Sequence, residues 1–134
     1  MEDGSNRQIV ETIYAAFSKG DIETVLEQFA DEGTWTYMMP DGSVPFAGTF
    51  AGKSRIGEWF RLFGSNVKTT NFQLNRLLVD GNDLVVALGH EDGTIIESEK
   101  KYSTDWVHIF HMKGEKVVKF VEYVDVPSVL ESFA

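Results

Sequence analysis

Apolar residues fall three and four apart at Ile9, Val10, Ile13, Tyr14 and Phe17, so one face of a helix runs toward Gly20, where the pattern stops. Ser5 followed by Gln8 has the spacing of a capping box at its start. Asp21 can cap a second, shorter helix with an apolar face of Ile22, Val25, Leu26 and Phe29, ending near Asp31-Glu32-Gly33. From Thr34 to Met39 the chain alternates, which sets Trp35 and Tyr37 on one face of a short strand that Pro40-Asp41-Gly42 ends. Ser43 to Gly52 has no clear period. Ile56, Trp59, Phe60 and Phe63 then mark one stripe of a third helix, the most aromatic element of the chain.

After Asn66 the period becomes that of strands. They are expected over Val67–Asp80, Leu84–Glu91, Tyr102–Met112 and Lys116–Val124, with turns at Asp80–Asp83 and Lys113-Gly114-Glu115. Pro127 suits the first turn of a short terminal helix. Helices first and long antiparallel strands second predict an α+β fold, a curved antiparallel sheet wrapped around three N-terminal helices. No repeat, low-complexity tract or linker interrupts residues 1–134, which read as a single domain.

Composition narrows the functions available. The 134 residues are 43% apolar, enough for one real core. A formal net charge of −9, with scattered basic residues, argues against a nucleic-acid partner, because counterion release needs a cationic face. Zero cysteines exclude a disulfide framework, thiolate metal sites and a cysteine nucleophile. The first thirty residues lack the apolar stretch of an export signal, no run approaches a membrane span, and no lipidation or sorting tail is visible, so no membrane partner and a cytoplasmic setting are expected. Glycines occur singly, without a phosphate-binding loop, and there is no Gly-x-Ser-x-Gly elbow.

Strand alternation assigns the candidate chemistry to faces. Trp106, His108, Phe110 and Met112 point one way, and Asp105, Val107, Ile109 and His111 the other; in the last strand Val118, Phe120, Glu122 and Val124 share a face. A three-residue loop at Lys113–Glu115 sets His108 opposite Phe120 and diagonal to Glu122, whereas a two-residue loop breaks that pairing. Glu122 is then an acid in an apolar row, where desolvation raises its pKa toward a range useful for proton transfer. His108 with His111, and His90 with its neighbours, fall on opposite faces, so no metal site is expected. Around Glu122 and His108, the rings of Tyr14, Trp35, Tyr37, Trp59, Phe60, Phe63, Trp106, Phe110 and Phe120 are expected to line a conical apolar pocket, with Tyr14 and Tyr37 as phenolic donors. Val107, Ile109, Val117, Val121 and Tyr123 give the sheet an apolar outer side, through which a homodimer is expected.

Ile13-Tyr14-Ala15-Ala16-Phe17-Ser18-Lys19-Gly20-Asp21, Phe29-Ala30-Asp31-Glu32, the Trp/Tyr strand, Gly52-Lys53 before the aromatic helix and Gly114-Glu115-Lys116-Val117-Val118 together resemble the nuclear transport factor 2-like superfamily, in its SnoaL-like and ketosteroid-isomerase-related branch. The resemblance covers nearly the whole chain and implies a cone-shaped, cystatin-like α+β barrel. The fold serves isomerases, polyketide cyclases, hydrolases, dehydratases and binding domains alike. Aligned on Gly20-Asp21, the positions that carry the steroid isomerases' tyrosine and aspartate hold Ile13 and Tyr37, so steroid isomerisation by that mechanism is not expected; their third position, an acid, falls near His108. Trp106-Val107-His108-Ile109-Phe110 with Glu122-Tyr123-Val124-Asp125 is similar to the closing segment of the SnoaL-like cyclases, whose essential acid corresponds to Glu122 or Asp125. Two functions follow as expectations. One is a cofactor-independent isomerase or cyclase in which Glu122 and His108 move a proton on a small apolar carbonyl compound. The other is a non-catalytic small-molecule binding or accessory dimerisation domain.

Overall fold

The computed structural model describes residues 2–134; Met1, the start of the expected domain, lies outside them. Helix α1 spans Glu2–Ser18, so Ser5 sits inside the helix instead of capping it, and its hydroxyl bonds the carboxylate of Glu115. Gly20, at φ +73°, turns the chain, and Asp21 accepts from Thr24 N to cap α2, Ile22–Glu27. This helix is shorter than its apolar pattern suggests, because Phe29 belongs to strand β1, Phe29–Tyr37. Pairing with a distant strand claims those residues: Phe29 lies opposite Val117. Strand β2, Gly48–Ala51, was invisible as a period and exists through its pairing with β1. Helix α3, Lys53–Asn66, buries Ile56, Trp59 and Phe63, and Trp59 Nε1 donates to Phe46 O at 2.9 Å.

The long strands follow: β3 over Val67–Asp80, β4 over Leu84–Ile95, β5 over Lys101–Lys113 and β6 over Lys116–Val124, before helix α4 at Val126–Phe133. They form one curved, unclosed sheet in the order β2-β1-β6-β5-β4-β3, antiparallel except for β1 against β6. Its concave side holds the core against α1 and α3. Trp35 stacks on Phe120 with ring centroids 3.9 Å apart, and Phe110, Phe120, Trp106 and Val10 are buried. Each such aromatic ring removes on the order of 150–250 Å² from water, about 4–6 kcal/mol at the usual area coefficient. Among the described residues no helix is long and apolar enough to cross a membrane.

The β5–β6 hairpin corrects the expected register. Its loop has two residues, Gly114 and Glu115, both at positive φ (58° and 62°), the conformation that matches strand twist in a tight hairpin. Met112 therefore faces Val117. Continued without interruption, that pairing would set His108 opposite Val121 and turn Glu122 outward. A bulge between His111 and Met112 on one side and Val117 to Lys119 on the other restores the parity, so His108 lies directly opposite Glu122. The same bulge reverses two expected orientations: Val117 is fully buried in the core, and Val118 is the half-buried residue of the pair. Val121 is buried as well, leaving Tyr123 as the exposed large residue of β6.

Candidate functional site

Three inward side chains from three elements meet in one row. Tyr14 on α1 places its hydroxyl 2.6 Å from Nδ1 of His108 on β5. On the far side of the imidazole, Nε2 lies 3.3 Å from Oε2 of Glu122 on β6, within ion-pair range but without hydrogen-bond alignment. The ring is clamped by aromatics: Trp106 stacks on it at 3.9 Å and 14°, and Phe120 meets it edge-on at 4.9 Å. His108 and Glu122 are only 6% and 5% exposed. Burial opposes charge on both, holding the imidazole down to about 3 and pushing the carboxyl up to about 8. Burial, then the charge of Glu122, push the Tyr14 hydroxyl well above its ordinary range, so it stays a donor.

These groups open onto a cavity of about 40 Å³, walled by Ile13, Tyr14, Phe17, Trp35, Trp59, Phe60, Phe63, Thr69, Phe72, Phe110 and Phe120 and carrying Glu91, His108 and Glu122 as its ionisable groups. Two expected lining residues stand outside this wall. Trp106 lies behind His108 as its stacking platform, and Tyr37 packs edge-to-face on Phe46 at 5.1 Å. Alternation gives the correct face for both, but a face is wider than a cavity. Asp125 is exposed at the end of β6 and caps α4 through Ser128 N, so it is Glu122 that reaches the cavity.

Glu91, which is absent from the expected pocket, lines the cavity as well. It sits in the polar run His90-Glu91-Asp92-Gly93, where the strand was expected to end, yet β4 continues to Ile95 and alternation turns Glu91 inward. His90, on the outer face, bonds Asp105 and Asp92 at 2.9 and 3.1 Å. Tyr102 donates to Glu91 Oε2 at 2.5 Å. Burial, then the nearby Glu122, raise Glu91 to about 7, while the Tyr102 bond opposes them.

Trp35 Nε1 and His108 Nε2 are both buried with no hydrogen-bond partner, and both residues line the cavity. Buried polar groups are nearly always satisfied, so these atoms retain bonding capacity that a guest molecule can meet. The free volume holds little more than water, and a larger guest needs room. Phe17, Phe60, Phe63 and Thr69 also border an outer groove of about 410 Å³ that reaches Gly57, Arg61 and Gly64. The two half-buried rings, Phe17 and Phe60, are 6.0 Å apart and separate groove from cavity. Phe17→Ala is expected to join the two spaces and to strengthen binding of an apolar naphthalene dye at least tenfold, as read by fluorescence titration.

An α+β cone of this topology has the architecture of the nuclear transport factor 2-like proteins. The chain belongs to the SnoaL-like domain family, whose model matches residues 10–120. Its structure is similar to that of an NTF2-like protein from Burkholderia xenovorans LB400, with TM-score 0.88, 22% identity and 98% of each chain covered. It is similar to TerC co-crystallised with polyporic acid, with TM-score 0.84, 20% identity and coverage of 96% of this chain and 97% of that one. A candidate polyketide cyclase from Xanthomonas campestris pv. campestris superposes over 100% of both chains with TM-score 0.80 and 13% identity. At these identities the likeness establishes the fold. No curated protein matches the sequence.

Proposed function

We propose that the protein is a cofactor-independent isomerase or cyclase that relocates a proton beside the carbonyl of a small apolar compound. The observation that carries this reading is the row of half-buried Tyr14 and buried His108 and Glu122 at the wall of an aromatic cavity. Glu122, raised to about 8, can both accept and deliver a proton near neutral pH. As the base it takes a hydrogen from the carbon next to the carbonyl. The C–H electron pair becomes the carbon–carbon double bond of the enolate, and the carbonyl π pair moves onto oxygen, where the charge gathers. Neutral donors in a dry site stabilise that charge best: with Tyr14 donating to Nδ1, His108 carries its hydrogen on the unpartnered Nε2, and the Trp35 N–H is unpartnered too. Val107 and Ile109, half-buried on the outer face, and exposed Tyr123 support pairing of two copies there as part of the same reading.

The test is α-hydrogen exchange in D₂O, followed by NMR, over a panel of apolar cyclic ketones that includes cyclohex-3-enone. Wild-type protein is expected to exchange at least one ketone well above the buffer rate. Glu122→Gln, which keeps shape and removes the titrating oxygen, is expected to slow that exchange by about 100-fold or more. Binding of ketones without any exchange, unaltered in Glu122→Gln, would instead favour a binding domain.

A further inference from the structure

The groove outside the cavity carries a charge that the reading above leaves idle. Among the described residues that border it, Arg61 alone is ionisable; the rest of its wall is aromatic, aliphatic, threonine and glycine surface. Arg61 follows Phe60 in α3, so the cation stands beside one of the two rings that divide groove from cavity. Its acidic neighbour is shared: Glu58 meets Nη2 of Arg61 at 3.4 Å through Oε2 and Nε of Arg55 at 3.4 Å through Oε1. One carboxylate between two guanidiniums leaves a positive charge over, and one long contact occupies few of the Arg61 donors. An exposed pair of that length contributes little and gives way to a better-placed acceptor. Asp21 adjoins the groove in the chain, but Thr24 takes both its oxygens, Oδ1 through the backbone N–H and Oδ2 through the hydroxyl. In a chain of formal net charge −9, α3 thus sets Lys53, Arg55 and Arg61 against Glu58 alone. Gly57 and Gly64 border the groove on either side of Arg61 and supply no side chain to fill it.

Resting on the proton-transfer reading, we infer that Arg61 is a specificity-determining residue, and that the substrate is an apolar carbonyl compound bearing a carboxylate at the end away from the reacting carbonyl. Such a compound spans both spaces. The cavity of about 40 Å³ is too small for a ring, whereas the groove offers about 410 Å³ and shares Phe17, Phe60, Phe63 and Thr69 with it. The body of the compound displaces the rings of Phe17 and Phe60, and its carbonyl oxygen takes the free N–H groups of Trp35 and His108. Charge sets the orientation. Inside the cavity the acids Glu91 and Glu122 face any entering anion, so the carbonyl leads and the carboxylate stays in the groove against Arg61. The planar fork of a single guanidinium matches the two oxygens of a carboxylate, while the second charge of a phosphate has no second cation among the described residues of the groove wall. The apolar surroundings shield that pair from water and strengthen it. A neutral ketone of the same shape fills the same space without the pair and is the weaker ligand.

Calorimetric titration with acetophenone and 4-acetylbenzoate, which differ only in the carboxylate, tests this at low ionic strength. Wild-type protein is expected to bind 4-acetylbenzoate at least about tenfold more tightly than acetophenone. In Arg61→Gln that ratio is expected to fall to within about twofold of one. Lys53→Gln removes the same charge from the same helix but away from the groove, and is expected to keep the wild-type ratio. Glu58→Gln releases Arg61 from its partner and is expected to raise the ratio by about threefold, which provides a second measurement should Arg61→Gln melt early. Equal affinity of the two compounds in wild type, a preference that survives Arg61→Gln, or one lost equally in Lys53→Gln would overturn the inference. Deuterium exchange of the acetyl methyl group in D₂O separates it from the reading on which it rests. Exchange of either ketone without a carboxylate preference would overturn the role of Arg61 alone. A preference abolished by Arg61→Gln, with no exchange of any ketone, would overturn the proton-transfer reading and leave Arg61 as the anchor of a carboxylate-binding site.

Discussion

Replacing Gly89 by alanine is expected to lower stability by about 3 kcal/mol or more, and to disorder the site along with the fold. Gly89 sits in the middle of β4, at a position where its φ is not of the left-handed kind, so alanine is not excluded by backbone conformation. It is excluded by space. An added Cβ would fall inside contact distance of two groups at once, the backbone carbonyl of Gln73 and the six-membered ring of Trp106. Gln73 belongs to the neighbouring ladder and cannot retreat without opening the β3–β4 pairing. Trp106 cannot retreat without lifting the ring on which His108 stacks. With total stability on the order of 5–15 kcal/mol, such a loss takes a large share of it. A denaturant melt measures the first effect, and the near-ultraviolet circular dichroism of the Trp106 environment measures the second. Gly64→Ala is the matched control. Gly64 is an exposed residue of α3 with nothing near its missing Cβ, so alanine there is expected to stabilise by about 0.5–1 kcal/mol. Equal effects of the two changes would show that glycine flexibility matters more than the space beside Gln73 and Trp106.

The faces of this site are legible in the sequence, while its distances are not. Alternation alone gives Trp106, His108 and Phe110 a common inward face, and the structure buries all three. It also gives Phe120 and Glu122 the inward face of β6, but by a route that differs from the observed one. The expected three-residue loop and the observed two-residue loop plus bulge agree in parity while differing in register. Parity survives when one residue is taken from the loop and one is added to the strand. What parity cannot supply is distance: the direct opposition of His108 and Glu122, and the approach of Tyr14 from α1, depend on the sheet's curvature and on where α1 crosses it. Glu91 was missed for another reason. The polar run around it has the composition of a turn, and pairing on both sides, with Thr69–Gln73 of β3 and Lys101–Asp105 of β5, keeps those residues in a strand. β2 and the first residues of β1 were obscured in the same way, since their pairing partners lie elsewhere in the chain.

The buried acids also predict an unusual dependence of stability on pH. Between the ordinary glutamate value, 4.5, and the folded value of about 8, the folded state keeps a proton on Glu122 that the unfolded chain has released. The folded state therefore binds more protons in that window, and stability falls as pH rises through it. Glu91, raised to about 7, acts in the same direction over a shorter span. His108 acts the other way. Its folded value of about 3 lies below the ordinary 6.5, so the unfolded chain binds the extra proton between those limits and stability rises with pH there. From pH 4.5 to 6.5 the two acids outweigh the single imidazole by one proton, so stability already falls there, by about 1.4 kcal/mol per pH unit. Above 6.5 only the acids remain, and stability is expected to drop by roughly 2–3 kcal/mol by pH 8, at about 1.4 kcal/mol per unit for each proton. This count is indifferent to whether the shared proton sits on Glu122 or on His108, because either arrangement binds one. Thermal melts at fixed ionic strength should show a maximum near pH 4.5, with a fall of about 10 °C between pH 6.5 and pH 8. Glu122→Gln removes the larger source, so its melting temperature should change little from pH 7 to 8. A wild-type profile as flat as that of the variant would mean that Glu122 ionises freely in the folded state, and the acid would then lack the tuning on which its proposed chemistry depends.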